Sequence, residues 1–223
     1  MKKCAIISLM TLLMSSCEEQ VTRLAQYPKM YEEKPLTIAV MPPINQTNFV
    51  EAKDYFYTTL YAPLCEKGYY VYSPMMTMEM FQAESAYDAE QFIEADLSPF
   101  RNILGADAAM FTIIKTWKRN KIGGKLTAGI EYILRSTKTG ETLYKREGLI
   151  NLDTSVQAGG GGFGALASLV ATAINTAATD KVVAGRKCTI FVLKDMPEGK
   201  YSTKFDKDQN LPAGKNYVKA TVK

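Results

Sequence analysis

Residues 36–74, LTIAVMPPINQTNFVEAKDYFYTTLYAPLCEKGYYVYSP, carry the pattern from which the fold is read. Leu36 to Met41 is a short apolar run, which suits a strand buried on both faces. Phe49, Ala52, Phe56, Leu60 and Leu64 then recur every three or four residues, one apolar stripe of a helix with Asn48 as its N-cap and Gly68 as its stop. Pro63 is expected to bend or restart the last turn, because proline lacks the amide donor. Tyr69 to Tyr72 follows as a second strand, completing a βαβ unit. The exit Pro42-Pro43-Ile44-Asn45 brings no charged or nucleophilic group, so it reads first as an enforced extended exit and only second as a functional loop. Tyr55, Tyr57 and Tyr61 fall partly off the stripe, where they either shield the helix or meet a partner.

Downstream, Met75 to Gly105 is helical in pattern. Ser85 with Asp88 resembles a capping box, and Ser98-Pro99 starts a helix whose Phe100, Ile103 and Leu104 face a core. Met75, Met76, Met78 and Met80 read as adaptable packing rather than a metal site. Ala108 to Trp117 is a strand; Leu126 to Leu134 alternates apolar with polar; Thr139-Gly140 turns into a third strand, Glu141 to Leu152. Three strands on short connections make an antiparallel meander. The chain is thus α/β: a two-layer or three-layer mixed sheet, with a βαβ unit, a meander and a C-terminal helix over Ala165 to Val183. Gly159, Gly161 and Gly164 before that helix follow no strand, so they read as a linker and not a phosphate loop. Cys188 to Leu193 is expected as an edge strand.

Upstream, MKKCAIISLMTLLMSSC combines Lys2 and Lys3, an apolar run too short to span a bilayer, and small residues before Cys17. Leu13 to Cys17 resembles a bacterial lipobox, with Met14 where Leu or Val is usual, so Cys17 is the expected site of lipidation, palmitate among its acyl chains. Several acyl chains hold a protein on a membrane durably, where one does so only marginally. The expected organisation is a signal peptide over 1–16, a tether over 17–35, one domain over 36–195 and an irregular tail over 196–223.

The 223 residues carry a formal charge of +4, two units of which belong to Lys2 and Lys3, too little to predict nucleic acid as a partner. There is no histidine, which removes imidazole bases, His-paired nucleophiles and His metal ligands. No catalytic residue, metal site or cofactor is expected, and an enzyme is not. Cys65 and Cys188 either pair or remain two small buried hydrophobes. The connection Lys118 to Lys125, with Lys115 and Trp117, is locally basic; Lys115, Trp117, Lys118, Arg119 and Lys121 form a candidate interaction surface for an envelope ligand such as a glycan or lipid, unless they serve solubility alone.

Taken together, the lipobox, the PPIN exit, PLCEKGYYV, ILGADAAMFTIIKTW, the TGETLYK turn and the closing EGKYSTKFDKD resemble a bacterial lipoprotein family of unknown function, the neisserial GNA-antigen type. The resemblance implies a domain similar to the CsgG-like periplasmic domain and to the amino-terminal domain of TolB, often as a homodimer. It further implies partnership with other envelope lipoproteins of a CsgG-like system and a non-enzymatic scaffold or accessory role in envelope assembly or secretion. Glu18 in place of Asp after Cys17 implies, by resemblance to diderm lipoproteins, the outer membrane, with the domain facing the periplasm.

Overall fold

The structure, a computed structural model, describes residues 20–83, 89–120, 125–153 and 179–222. The first strand, β1 (Thr37–Val40), lies between two parallel neighbours, β3 (Tyr70–Val71) and β4 (Ala108–Asn120), with Thr37 opposite Tyr70 and Ile38 opposite Ala108. Full burial of Ile38, Ala39 and Val40 is what their consecutive apolar side chains require. Pro42 and Pro43 offer no amide to the ladder, so the chain leaves β4 and rejoins it as β2 (Ile44–Asn45), with Ile44 opposite Ile113.

The helix α3 (Ala52–Glu66) buries Ala52, Phe56, Leu60 and Leu64 against this sheet, the stripe expected from the spacing. Its cap differs. Glu51 occupies the N-cap without a side-chain bond, while Asn45 Oδ1 accepts from the Thr47 amide (3.0 Å) and its Nδ2 donates to the Phe49 carbonyl (2.8 Å). The turn is thus tied from the strand side, and Asn48 is not needed. Pro63 is buried inside the helix, which continues to Glu66. Gly68, at φ +85°, turns the chain out of it.

The meander forms as expected: β4, β5 (Lys125–Ser136) and β6 (Thr142–Asp153) are antiparallel, with Ile114 opposite Ile130 and Ile130 opposite Gly148. A last strand, β7 (Tyr217–Val222), pairs parallel with β6 and completes the order β3-β1-β4-β5-β6-β7. One face carries Met110, Ile114, Ile130 and Tyr132 under α3 and α6 (Thr179–Val192). The other carries Ala109, Phe111 and Ile133 under α4 (Pro74–Ala83), a 3₁₀ turn (Ala89–Phe92) and α5 (Ser98–Leu104). The sheet is therefore three-layered around β1 and β4, whereas the described residues place no second helical layer on the charged face of β5 and β6.

Four expectations are corrected. The stretch 17–35 is not all tether: α1 (Arg23–Gln26) and α2 (Pro28–Glu33) bury Tyr27, Met30 and Tyr31, and the Tyr27 ring lies 4.8 Å from that of Tyr144. Pro28 stands in the first turn of α2, where the missing amide donor costs nothing. Residues 196–223 are not an irregular tail, since Met196 and Ala213 are buried and β7 extends the sheet. Cys188 to Leu193 is no edge strand; Ala184, Cys188 and Val192, four residues apart, form the buried face of α6. Ile103 points to solvent instead of a core. The glycine run, most of the helix expected over 165–183 and the Ser85 capping box lie outside the described residues.

Candidate functional site

The candidate surface on β4 divides at a bulge between Ile114 and Thr116. The extra residue sends neighbours to opposite faces. Lys115 joins the open face, where its Nζ lies 3.0 Å from Glu131 and 2.8 Å from Glu147, while Lys145 reaches Glu131 at 3.0 Å. Burial pushes the Glu131 carboxyl up, but the ammonium groups of Lys115 and Lys145 outweigh it and hold the group below its ordinary range. Burial also opposes the charge of Lys115, and Glu147 and Glu131 raise its pKa on balance. The cation is satisfied internally by two carboxylates.

Trp117 points the other way, buried edge-on against Phe56 (5.5 Å between ring centroids) and flanked by Phe49 and Tyr55 (6.1 Å each). Lys181 of α6 closes this cluster, its Nζ 5.0 Å from the Phe49 ring centre and 5.7 Å from that of Tyr55. Trp117 is thus a core anchor between α3, α6 and the sheet. Lys118 is exposed, Arg119 is described only by its place in β4, and Lys121 lies outside the described residues. The proposed patch is corrected accordingly: its two central members do not share a face.

A constellation that sequence reasoning missed joins the two ends of the chain. Asp208 is buried and accepts from Arg23 Nη1 (2.8 Å), Tyr31 Oη (3.1 Å) and the Glu198 amide (2.9 Å). Asp195 lies 3.9 Å from Arg23 and 2.8 Å from the buried Arg146. Lys67 lies 3.2 Å from Glu198 and donates to the carbonyls of Lys194 and Met196. Burial lowers the Lys67 pKa, against the pull of Glu198. Backbone bonds run alongside: Ala213 N to Val21 O (2.9 Å), Arg23 N to Leu211 O (2.8 Å) and Leu24 N to Gln209 O (3.1 Å). These charges are structural, and they fasten the N-terminal helices to the C-terminal segment. Arg23 and Asp208 sit 185 residues apart with no motif to announce them.

Cys65 and Cys188 are both free thiols, so the pairing considered for them is not made. Burial pushes the Cys188 thiol up to about 12, which suppresses the nucleophilic thiolate. Titration of the native chain with a thiol reagent is expected to modify Cys65 promptly and Cys188 only after unfolding. Equal rates at the two would contradict this packing. Among the described residues no three His, Cys, Asp or Glu side chains gather as a metal site, and no helix is long and apolar enough to cross a membrane. The clefts among the described residues include three. One, about 330 Å³, lies at the open edge of β6 between Tyr27 and Tyr217; another, about 450 Å³, lies between Pro63, Ile190 and Lys204; the third, about 270 Å³, opens between α4 and α5.

Residues 25–196 match the family described as "Putative lipoprotein GNA1162-like". A curated relative, "Putative lipoprotein NMB1124/NMB1162" of Neisseria meningitidis serogroup B, is 26% identical over 172 residues, covering 76% of this chain and 80% of its own length. Among solved structures, lipoprotein GNA1162 from Neisseria meningitidis is 22% identical with a TM-score of 0.48, covering 65% of this chain and 99% of that one. A PelC dodecamer from Paraburkholderia phytofirmans is 12% identical with a TM-score of 0.42, covering 72% of this chain and 87% of that one. The family assignment rests on the sequence match over most of the chain: this protein belongs to the GNA1162-like lipoprotein family.

Proposed function

We propose that the protein is anchored in the outer membrane by acyl chains on Cys17, faces the periplasm, and acts there as a non-enzymatic scaffold or accessory subunit in envelope assembly or secretion. The observation that carries this reading is the point at which the chain becomes fixed. Cys17 precedes Val21 by four residues, and from Val21 onward the backbone is bonded to residues 209–213. Four extended residues reach about 14 Å. A leash of that length holds the domain close above the headgroups. It presents to them the end bearing the exposed Val21, Leu24 and Leu211.

The absence of histidine and the use of the buried charges in holding the two chain ends together support a binding role over a catalytic one. The likeness to CsgG-like and TolB amino-terminal domains, homodimer formation and partnership with other envelope lipoproteins belong to the same proposal. The rival reading, an envelope-ligand module on the 115–125 hairpin, loses support because Lys115 is committed to Glu131 and Glu147 and Trp117 to the core.

The test is palmitate labelling with membrane fractionation of the wild type and Cys17→Ser in a diderm host. The wild type is expected to take up label and sediment with outer membranes, and Cys17→Ser to lose both properties. An unlabelled wild type, or a Cys17→Ser chain that still fractionates with the outer membrane, would overturn the proposal.

A further inference from the structure

The two segments that the Arg23–Asp208 pair fastens also hold apolar side chains in solvent. Val21 is 52% exposed, Leu24 40% and Leu211 46%, and Pro212 beside Leu211 is exposed as well. Their backbones are bonded to one another. Thr22 lies opposite Pro212 in an antiparallel bridge, the Val21 carbonyl accepts from the Ala213 amide (2.9 Å), and the Arg23 amide donates to the Leu211 carbonyl (2.8 Å). Arg23 and Asp208, in the same two segments, are buried in their ion pair, so the backbone under the apolar side chains is held at several points. An apolar residue alone on a surface needs no explanation. Several gathered on fixed backbone from segments nearly 190 residues apart form a candidate contact surface.

The leash decides what meets this surface. Val21 stands four residues after Cys17, so even a fully extended leash keeps it within about 14 Å of the sulfur that would carry the lipid. The headgroup layer is itself roughly 5–8 Å thick on each side of a ~30 Å hydrocarbon core. Slack in the leash therefore brings these side chains to lipid, and a contact made on a short tether forms at an effective concentration on the order of millimolar. The charges close by do not direct the contact. Over 20–26 and 207–215 the one acid, Asp208, is buried and paired, and the exposed cations are Lys207 and Lys215. Glu18 and Glu19 on the leash offset those two cations. What remains is apolar burial, which does not depend on anionic headgroups.

We propose that Val21, Leu24 and Leu211 insert into the headgroup boundary of the bilayer that carries the anchor, and so hold the domain in one orientation. A lipid on Cys17 limits distance but does not choose which face meets the membrane; a second contact on the domain itself does. This rests on the proposed anchoring at Cys17 for its setting in the cell, while the contact requires only a leash of that length.

The test supplies the leash chemically. The chain from Cys17 retains every residue of both described cores; with Cys65→Ser, Cys17 is left as its accessible thiol and is coupled to a maleimide lipid in phosphatidylcholine vesicles. Leu211→Trp is the reporter. Val50→Trp is the control: Val50 is exposed just before α3, whereas Lys67, just after α3, joins the Asp208 network through Glu198, and a helix of that length spans about 22 Å. Trp117, buried, gives the same background in both chains. Lipids brominated in their acyl chains are expected to quench Leu211→Trp at least about twofold more than Val50→Trp. The difference should persist in ~0.5 M salt and largely vanish when Val21→Ser and Leu24→Ser are added. Circular dichroism checks that each variant folds. Equal quenching of the two reporters, quenching lost in salt, or indifference to the two serines would overturn the proposal. A blue shift of Leu211→Trp that appears without vesicles and grows with protein concentration would place a second copy on the surface and overturn it as well. None of these outcomes depends on whether cells acylate Cys17, so this contact and the anchoring can fail separately.

Discussion

Asp208→Ala is expected to destabilise the fold by about 3–5 kcal/mol, the usual cost of removing one partner of a buried ion pair. The change removes three hydrogen-bond partners at once, from Arg23, Tyr31 and the Glu198 amide, and leaves a buried guanidinium whose next carboxylate, on Asp195, is 3.9 Å away. The loss should appear in guanidinium unfolding as a lower midpoint. Because the site joins α1 to the segment before β7, both ends of the chain should loosen together. Two comparisons isolate the cause. Removing both charges, as Arg23→Met with Asp208→Leu, is expected to recover much of the loss, since no uncompensated ion remains. Asp206→Ala, which breaks the more exposed Lys34–Asp206 pair, should cost below about 1 kcal/mol. A small effect of Asp208→Ala would mean that the chain ends are not fastened as described.

Gly68→Ala is the second large effect. At φ +85° an L-residue meets a backbone penalty of about 1–2 kcal/mol. A Cβ there would also lie 2.3 Å from the Ser202 amide nitrogen and 2.8 Å from the Gly199 carbonyl. Both are backbone atoms, so no rotamer change relieves the contact. The 199–202 loop must move and strain its bonds, Gly199 N to Lys67 O (2.7 Å) and Tyr201 N to Gly68 O (2.9 Å). The total is expected to exceed about 2 kcal/mol by thermal or chemical unfolding. Gly140→Ala is the control: its φ is +73°, but the nearest atom, Arg135 Nη2, lies at 3.4 Å, the edge of ordinary contact. It should cost the backbone penalty alone.

The elements legible in the sequence are those whose burial repeats over enough residues to be counted. Leu126 to Leu134 alternates for nine residues, and the α3 stripe runs from Ala52 to Leu64; both appear where expected. α1 and α2 were not legible because four and six residues give too few repeats, although Tyr27, Met30 and Tyr31 already stand at helical spacing. β7 hid because an edge strand with one exposed face keeps Lys219 and Thr221. Cys188 to Leu193 misled because its β-branched residues resemble a strand when separated from Ala184, four residues earlier. At the candidate surface, composition flagged Lys115 and Trp117 together, but a single bulge decides that they part, and no local pattern encodes it. The phenylalanine floor of the α4–α5 groove was likewise invisible, since Phe81 reaches it from a different element than Phe92 and Phe100.

The central claim is that a short acylated leash fixes this domain at a membrane. The direct measurement is the mass of the N-terminal peptide of the mature protein recovered from outer membranes. The account predicts a chain that begins at Cys17 with a diacylglyceryl thioether and an acylated amine. A soluble mature chain with an unmodified amino terminus, or one beginning at any other residue, would contradict it.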